Sequence, residues 1–277
     1  VSMPVYRFSA HARNIASDAD PADALELWTP PLYLDDPAAG RMTLRGGASL
    51  TLASSSATRA GGIIAVETGS AINVDPGQTI RLSGTLGRTR VDGTLNAWGG
   101  AIEIDQSYFP STVSPGLAAN KANTNSIWIG ENAVLDVAAR AATATDQYGR
   151  TYGIVRDGGT ITIGGALDWE ETGTKIASDA FVVVRSGAVL DASGTHAVLD
   201  YASGGLSASS RSVDVASNGG TIVLASNRGL FIDGTLKAAA GGAGAAGGTL
   251  GLALETPWYT IDGASAAVMT GRELILS

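Results

Sequence analysis

The sequence predicts an all-β chain built as a parallel β-helix, a solenoid with extruded loops and an irregular N-terminal segment. Three observations carry that expectation. Glycine accounts for 37 of 277 residues, near twice the usual ~7%, and shows no three-residue collagen period. Double glycines repeatedly open short strands of alternating apolar residues. A five-residue phrase with leucine at its centre recurs along the chain. Apolar residues reach 44%, enough to fill a sizeable core.

The N-terminal stretch differs from the rest. Five prolines, Pro4, Pro21, Pro30, Pro31 and Pro37, lie in it. Residues 1–41 therefore read as an irregular or linker segment, with a short helix over Asp20–Leu27, and residues 42–277 as the β-helix. Within the latter, Ile63-Ile64-Ala65-Val66 follows Gly61-Gly62. Ile102-Glu103-Ile104 follows Gly99-Gly100, and Ile161-Thr162-Ile163 follows Gly158-Gly159. Ile222-Val223-Leu224 follows Gly219-Gly220, and Leu250-Gly251-Leu252 follows Gly247-Gly248. Alternation of this kind gives each strand one apolar face, and the glycines supply positive φ and close backbone approach.

The second phrase is small–x–Leu–polar–small. It appears as Gly93-Thr94-Leu95-Asn96-Ala97, Ala133-Val134-Leu135-Asp136-Val137, Ala188-Val189-Leu190-Asp191-Ala192 and Gly234-Thr235-Leu236-Lys237-Ala238. A fourth slot that accepts Asn, Asp and Lys faces solvent, which turns the leucine and the small fifth residue inward. Ile72-Asn73-Val74 fits the phrase; Leu167-Asp168-Trp169 fits it poorly, because Trp would fill the small slot. The double glycines step by 38, 59, 61 and 28 residues, three of them near multiples of about 20, and recurrence at that scale marks a solenoid. At about 20–25 residues per coil the chain should form about ten coils. A β-sandwich also uses short strands and glycine turns, but does not need one phrase to recur. Gln106–Asn125, Ala139–Arg156 and Leu199–Asp214 break the rhythm and are expected to be extruded loops, where binding residues gather.

Composition excludes several functions. With 18 Lys+Arg against 26 Asp+Glu the net charge is −8, which argues against nucleic acid as a partner. No cysteine is present, so disulfides, thiol catalysis and thiolate metal sites are out. No signal peptide opens the chain and no stretch reads as a membrane-spanning segment; it reads as an internal piece or a mature segment. No cofactor or metal is expected: the glycine run Gly241–Gly248 lacks the Asp that calcium-binding β-rolls use as a ligand.

The phrases Gly-Gly-Thr-Ile-x-Ile/Leu and Val-Leu-Asp-Ala-Ser-Gly resemble the filamentous haemagglutinin family of large exoproteins. The resemblance covers about residues 42–255. The family's secretion domain carries an Asn-Pro signature, and no Asn-Pro occurs here. What the resemblance implies is a right-handed β-helix at the surface of, or secreted from, a Gram-negative bacterium. It further implies export through the outer-membrane transporter of a two-partner secretion system, and adhesion without catalysis, to a host-cell or matrix glycan or protein.

Polysaccharide lyases and hydrolases also use β-helices, so a catalytic or carbohydrate-binding role is the alternative. Glu170 and Glu171, beside Asp168, could act as acid and base on a sugar stacked on Trp169; the favoured plain reading is a solvated turn whose Trp packs on the rod. Gly194-Thr195-His196 reads as a lone turn histidine. Tyr148 and Tyr152, surrounded by glycine and charge, are the best exposed candidates for glycan or partner contact, since an aromatic ring carries apolar area and Tyr adds a polar tip.

Overall fold

The structure is a computed structural model that describes residues 24–27, 47–54, 62–85, 87–107, 125–145, 148–165, 177–178, 180–202, 210–254, 258–261 and 264–267. Among them the chain is all-β. Ala24–Leu27 (β1) comes first. Leu50–Ser54 (β2), Ile63–Val66 (β3) and Ala71–Val74 (β4) form one circuit. Thr79–Thr85 (β5), Arg88–Val91 (β6) and Thr94–Asn96 (β7) form the next, then Ala101–Ser107 (β8), Ser126–Ile129 (β9) and Val134–Asp136 (β10). A hairpin of Ala141–Thr145 (β11) and Thr151–Val155 (β12) precedes Thr160–Ile163 (β13), Phe181–Val184 (β14) and Val189–Asp191 (β15). A second hairpin, His196–Ala202 (β16) with Ser210–Ala216 (β17), precedes Thr221–Ser226 (β18), Gly229–Ile232 (β19) and Thr235–Lys237 (β20). Thr249–Leu254 (β21) follows, then Trp258–Ile261 (β22) paired antiparallel with Ala264–Ala267 (β23).

The circuits build three parallel sheets of short strands. Sheet A runs β1-β4-β7-β10-β15-β20, sheet B runs β2-β5-β8-β13-β18-β21, and sheet C runs β3-β6-β9-β14-β19. From β2 onward the chain visits B, C and A in fixed rotation, and each strand pairs with its counterpart one circuit away. Register is strict. Leu95 lies over Leu135, Leu135 over Leu190 and Leu190 over Leu236 in sheet A. Ile80, Ile102, Ile161, Ile222 and Leu250 are successive partners in sheet B.

Alternation explains the core. Each strand turns every second residue inward, and the inward set is mainly aliphatic: Leu95, Leu135 and Leu190 from sheet A, Ile102 and Ile161 from sheet B, and Ile127 and Val182 from sheet C are all fully buried. They belong to one apolar cluster drawn from all three sheets. In sheets A and B like residues sit at like heights, so inward aliphatic side chains stack on their register partners; in sheet C the buried Thr89 stands between Ile64 and Ile127.

The double glycines serve close approach rather than special dihedrals. Gly100, Gly159, Gly220 and Gly248 stack at the corner leading into sheet B. The first three carbonyls accept from the residue that follows the next glycine: the Thr160 amide donates to Gly100 O, Thr221 to Gly159 O and Thr249 to Gly220 O, each at 2.9 Å. A Cβ on Gly159 would fall within contact distance of the Gly100 oxygen, and one on Gly220 would strike the Gly159 oxygen. Of the four double glycines that open strands of sheet B, only Gly99 has positive φ, at 59°.

Several expectations are corrected. The helix over Asp20–Leu27 is not formed: Ala24–Leu27 is a strand that sets Leu25 beside Ile72 and Leu27 beside Val74. Its two leucines alternate, and pairing with an apolar edge overrides the helix propensity of Ala, Leu and Glu. Among the described residues the circuits are fewer than ten. Sheet B has six strands, a stack of about 24 Å between first and last, because steps of 59 and 61 residues are single circuits lengthened by excursions. Gly62 precedes a sheet C strand while the other double glycines precede sheet B, so the 38-residue step mixes two corners. Two of the three expected loops are ordered antiparallel hairpins. Gln106 belongs to β8 and is buried: its side-chain amide donates to Gly84 O at 3.1 Å and accepts from Thr89 N and Oγ1 at 3.0 Å. No helix among the described residues is long and apolar enough to cross a membrane.

Gly159→Ala should lower stability by about 1–3 kcal/mol, since the added methyl would run into the Gly100 backbone and the Val137 Cβ. Leu135→Ala should cost about 2–5 kcal/mol, whereas Thr160→Ala, next to Gly159 but facing out, should stay within about 0.5 kcal/mol. Urea midpoints of the three variants check this ordering.

Candidate functional site

The two hairpins form the first candidate. Both leave the chain between a strand of sheet A and the next strand of sheet B, so they project from the same corner one circuit apart. β12 lies against β16. Asp200 joins them: one carboxylate oxygen accepts from the Thr151 amide at 2.7 Å, and the other accepts from the Ser212 hydroxyl across its own hairpin. Antiparallel register places Leu199 with Val213 on one face of the second hairpin and Val198 with Asp214 on the other. Leu199 is buried while Val198 is 52% exposed, so one face packs and the other meets solvent.

Tyr148 sits at the tip of the first hairpin, 74% exposed. Gly149, with φ of 76°, turns the chain there, and the Arg150 guanidinium lies 5.2 Å from the Tyr148 ring centre. Tyr152 is half-buried in β12 opposite Ala144. The two expected tyrosines thus share a hairpin, one presented and one packed. Tyr201 on the second hairpin, opposite Arg211, is 53% exposed. His196 is no lone turn residue: it opens β16, and its Nδ1 lies 2.9 Å from Asp214 Oδ1. Trp169, Glu170 and Glu171, with Asp168, lie outside the described residues.

Sheet A carries a second arrangement that inspection of local motifs missed. The fourth slots of the leucine phrase stack in one outward line, Asn73, Asn96, Asp136, Asp191 and Lys237. Asn96 Nδ2 donates to Asn73 Oδ1 at 2.6 Å. Asp136 Oδ1 accepts from the Ala138 amide and Asp191 Oδ1 from the Ser193 amide, both at 2.9 Å. Each aspartate therefore stabilises the turn that follows its strand. Asp136 Oδ2 also accepts from Trp98 Nε1 and from Arg140, each at 2.9 Å, and the Arg140 guanidinium rests 5.0 Å from the Trp98 ring centre.

Chemically, the line offers two carboxylates on neighbouring strands with an amine beside them and an indole near. Both oxygens of Asp136 are held by protein donors, which suits it to positioning more than to proton transfer. Among the described residues no group of His, Asp or Glu is placed to hold a metal ion. The signal for this line was present in the four repeats of the phrase; what was needed was the register that stacks them.

Comparison of the chain with protein-family models, with curated proteins and with solved structures finds no match.

Asp200→Ala should loosen one hairpin from the other. The Thr151 amide should exchange with solvent about tenfold faster, while the urea midpoint of the whole chain moves little. Hydrogen exchange read residue by residue checks both halves.

Proposed function

We propose that the chain is a right-handed parallel β-helix serving as a rigid stalk and adhesive surface, without catalysis, in a secreted or surface-exposed exoprotein of a Gram-negative bacterium. The observation that carries this reading is the fixed rotation of the chain through three in-register parallel sheets with ordered hairpins set outside them. A stack of this kind is stiff along its axis, because bending must break pairings in several sheets at once. The right hand follows the preference of parallel strand crossovers. The hairpins then present Tyr148 and Tyr201 beside Arg150 and Arg211, residue types that dominate binding energy at interfaces. Export through the outer-membrane transporter of a two-partner secretion system, and a host-cell or matrix glycan or protein as the adhesive target, complete the reading suggested by the resemblance to filamentous haemagglutinins.

One observation favours the alternative, a β-helical polysaccharide-active enzyme or carbohydrate-binding module. Asp136 and Asp191 are register partners on adjacent strands, with Lys237 next in line.

Beads coated with the chain should attach to host cells or matrix components. Attachment should fall about tenfold or more in the Tyr148→Ala, Tyr201→Ala double variant, with an unchanged circular dichroism spectrum. Turnover of a polysaccharide that disappears in Asp191→Asn would replace the adhesive reading with the enzymatic one.

A further inference from the structure

The outer face of sheet C has a composition that the other two parallel sheets lack. Register stacks Arg90, Trp128, Val183 and Phe231 in one line across β6, β9, β14 and β19. The adjacent outward line is Arg88, Ser126, Phe181 and Gly229. Phe231 is 58% exposed; Trp128 and Phe181 are half-buried. Gly229 gives the rings their place: a Cβ there would lie 3.3 Å from both phenyl groups. The Phe181 and Phe231 ring centres are 6.3 Å apart, so the two rings close over the glycine into one apolar surface.

Spacing gives this surface a direction. Trp128 and Phe231 stand two strands apart, about 9.6 Å along the stack, with only Val183 between them. That distance is close to the length of two pyranose units in an extended polysaccharide. Pyranose rings have apolar C–H faces that stack on aromatic rings, with a gain comparable to other ring contacts. A chain lying along the stack would set alternate sugars on Trp128 and Phe231, with the intervening sugar over Val183.

Charge selects among such chains. The strands of sheet C carry Arg88 and Arg90 and no carboxylate. Sheet A has Glu26, Asp136 and Asp191 on its strands, and sheet B has Glu103 and Asp105. In a chain of net charge −8, sheet C is the face with arginine and no acid. Arg185, just past β14, lays its guanidinium over the Trp128 ring, 5.5 Å from the ring centre, so a sugar stacking on the indole meets the guanidinium directly and shares the ring with it. Arg90 is paired with Glu67; among the described residues no carboxylate is within ion-pair distance of Arg88 or Arg185. The corner beyond the strands carries Asp92, Glu131 and Asp233, and Asp92 is already taken by the Thr68 hydroxyl and the Asn132 amide.

We propose that the outer face of sheet C binds an extended acidic glycan of the uronic-acid class, its rings stacked on Trp128 and Phe231 and its carboxylates met by Arg88 and Arg185. The hairpins leave between sheets A and B, so this site is separate from the adhesive tip and stands or falls without it.

Titration calorimetry of the full chain with oligogalacturonate, and with a neutral cello-oligosaccharide for comparison, tests the site. Oligogalacturonate should bind, more weakly as salt is raised, and the neutral chain should bind at least about tenfold more weakly. Trp128→Ala and Phe231→Ala should each cost about tenfold in affinity, and Arg88→Gln about threefold with a shallower salt dependence. Phe231→Leu, which keeps apolar bulk but removes the ring, guards against a folding defect. Tyr148→Ala, on the hairpin, should leave the affinity unchanged. Absence of binding by the parent chain, equal affinity for the neutral chain, or affinity that survives both aromatic truncations would overturn the proposal.

Discussion

Identical backbone heights in successive circuits are the constraint on which the molecule depends. A parallel ladder fixes the spacing of neighbouring strands, and in-register pairing then places each inward residue directly over its counterpart. Leu95, Leu135, Leu190 and Leu236 satisfy this in sheet A. The corners must keep the same spacing with no strand to enforce it. There the stacked glycines let a carbonyl of one circuit approach the next without a side chain between. Hydrophobic rungs and bare corners are two requirements of one geometry. Either alone would allow the chain to slip in register, and a slip by one residue would turn every leucine outward.

That geometry also organises the surface. Every outward position becomes part of a line, so a property repeated in the sequence becomes a linear feature of the molecule. Polar fourth slots give sheet A its line of amides and carboxylates. Arginine and aromatic residues give sheet C a line of different chemistry. Insertions are tolerated where the chain passes from sheet A to sheet B, because the corner closes again at the glycines once a hairpin has returned. The Asp200 contact with Thr151 then turns two separate insertions into one projecting unit. The proposed stalk and its binding surfaces are in this sense consequences of one stacking rule.

Much of this was legible in the sequence, and the failures have physical reasons. The inward leucine and the outward fourth slot could be read because a slot shared by Asp191 and Lys237 has to meet water. The double glycines read as strand openers that supply both positive φ and close backbone approach; at Gly159 and Gly220 only the close approach is used. The described circuits are fewer than the spacing suggests because periodicity measures chain length and cannot separate a coil from a hairpin inserted into it. Ala24–Leu27 looked helical by composition, and only its neighbour in sheet A decides otherwise. Tyr148 was found because glycine and charge surround it locally. The pairing of Trp128 with Phe231 could not be found that way: the two are far apart in the chain, and nothing in either segment reveals the shared line.

Introduced cysteines test the stacking most directly, since the chain has none of its own. Thr94 and Val134 are register partners on neighbouring strands, and Val189 is one strand further. Neighbouring outward positions fall within the Cα separation a disulfide requires, about 4.4–6.8 Å, and positions two strands apart do not. The account predicts that Thr94→Cys with Val134→Cys oxidises to an intramolecular disulfide in the folded chain, while Thr94→Cys with Val189→Cys remains reduced. Equal oxidation of both pairs, or of neither, would contradict it.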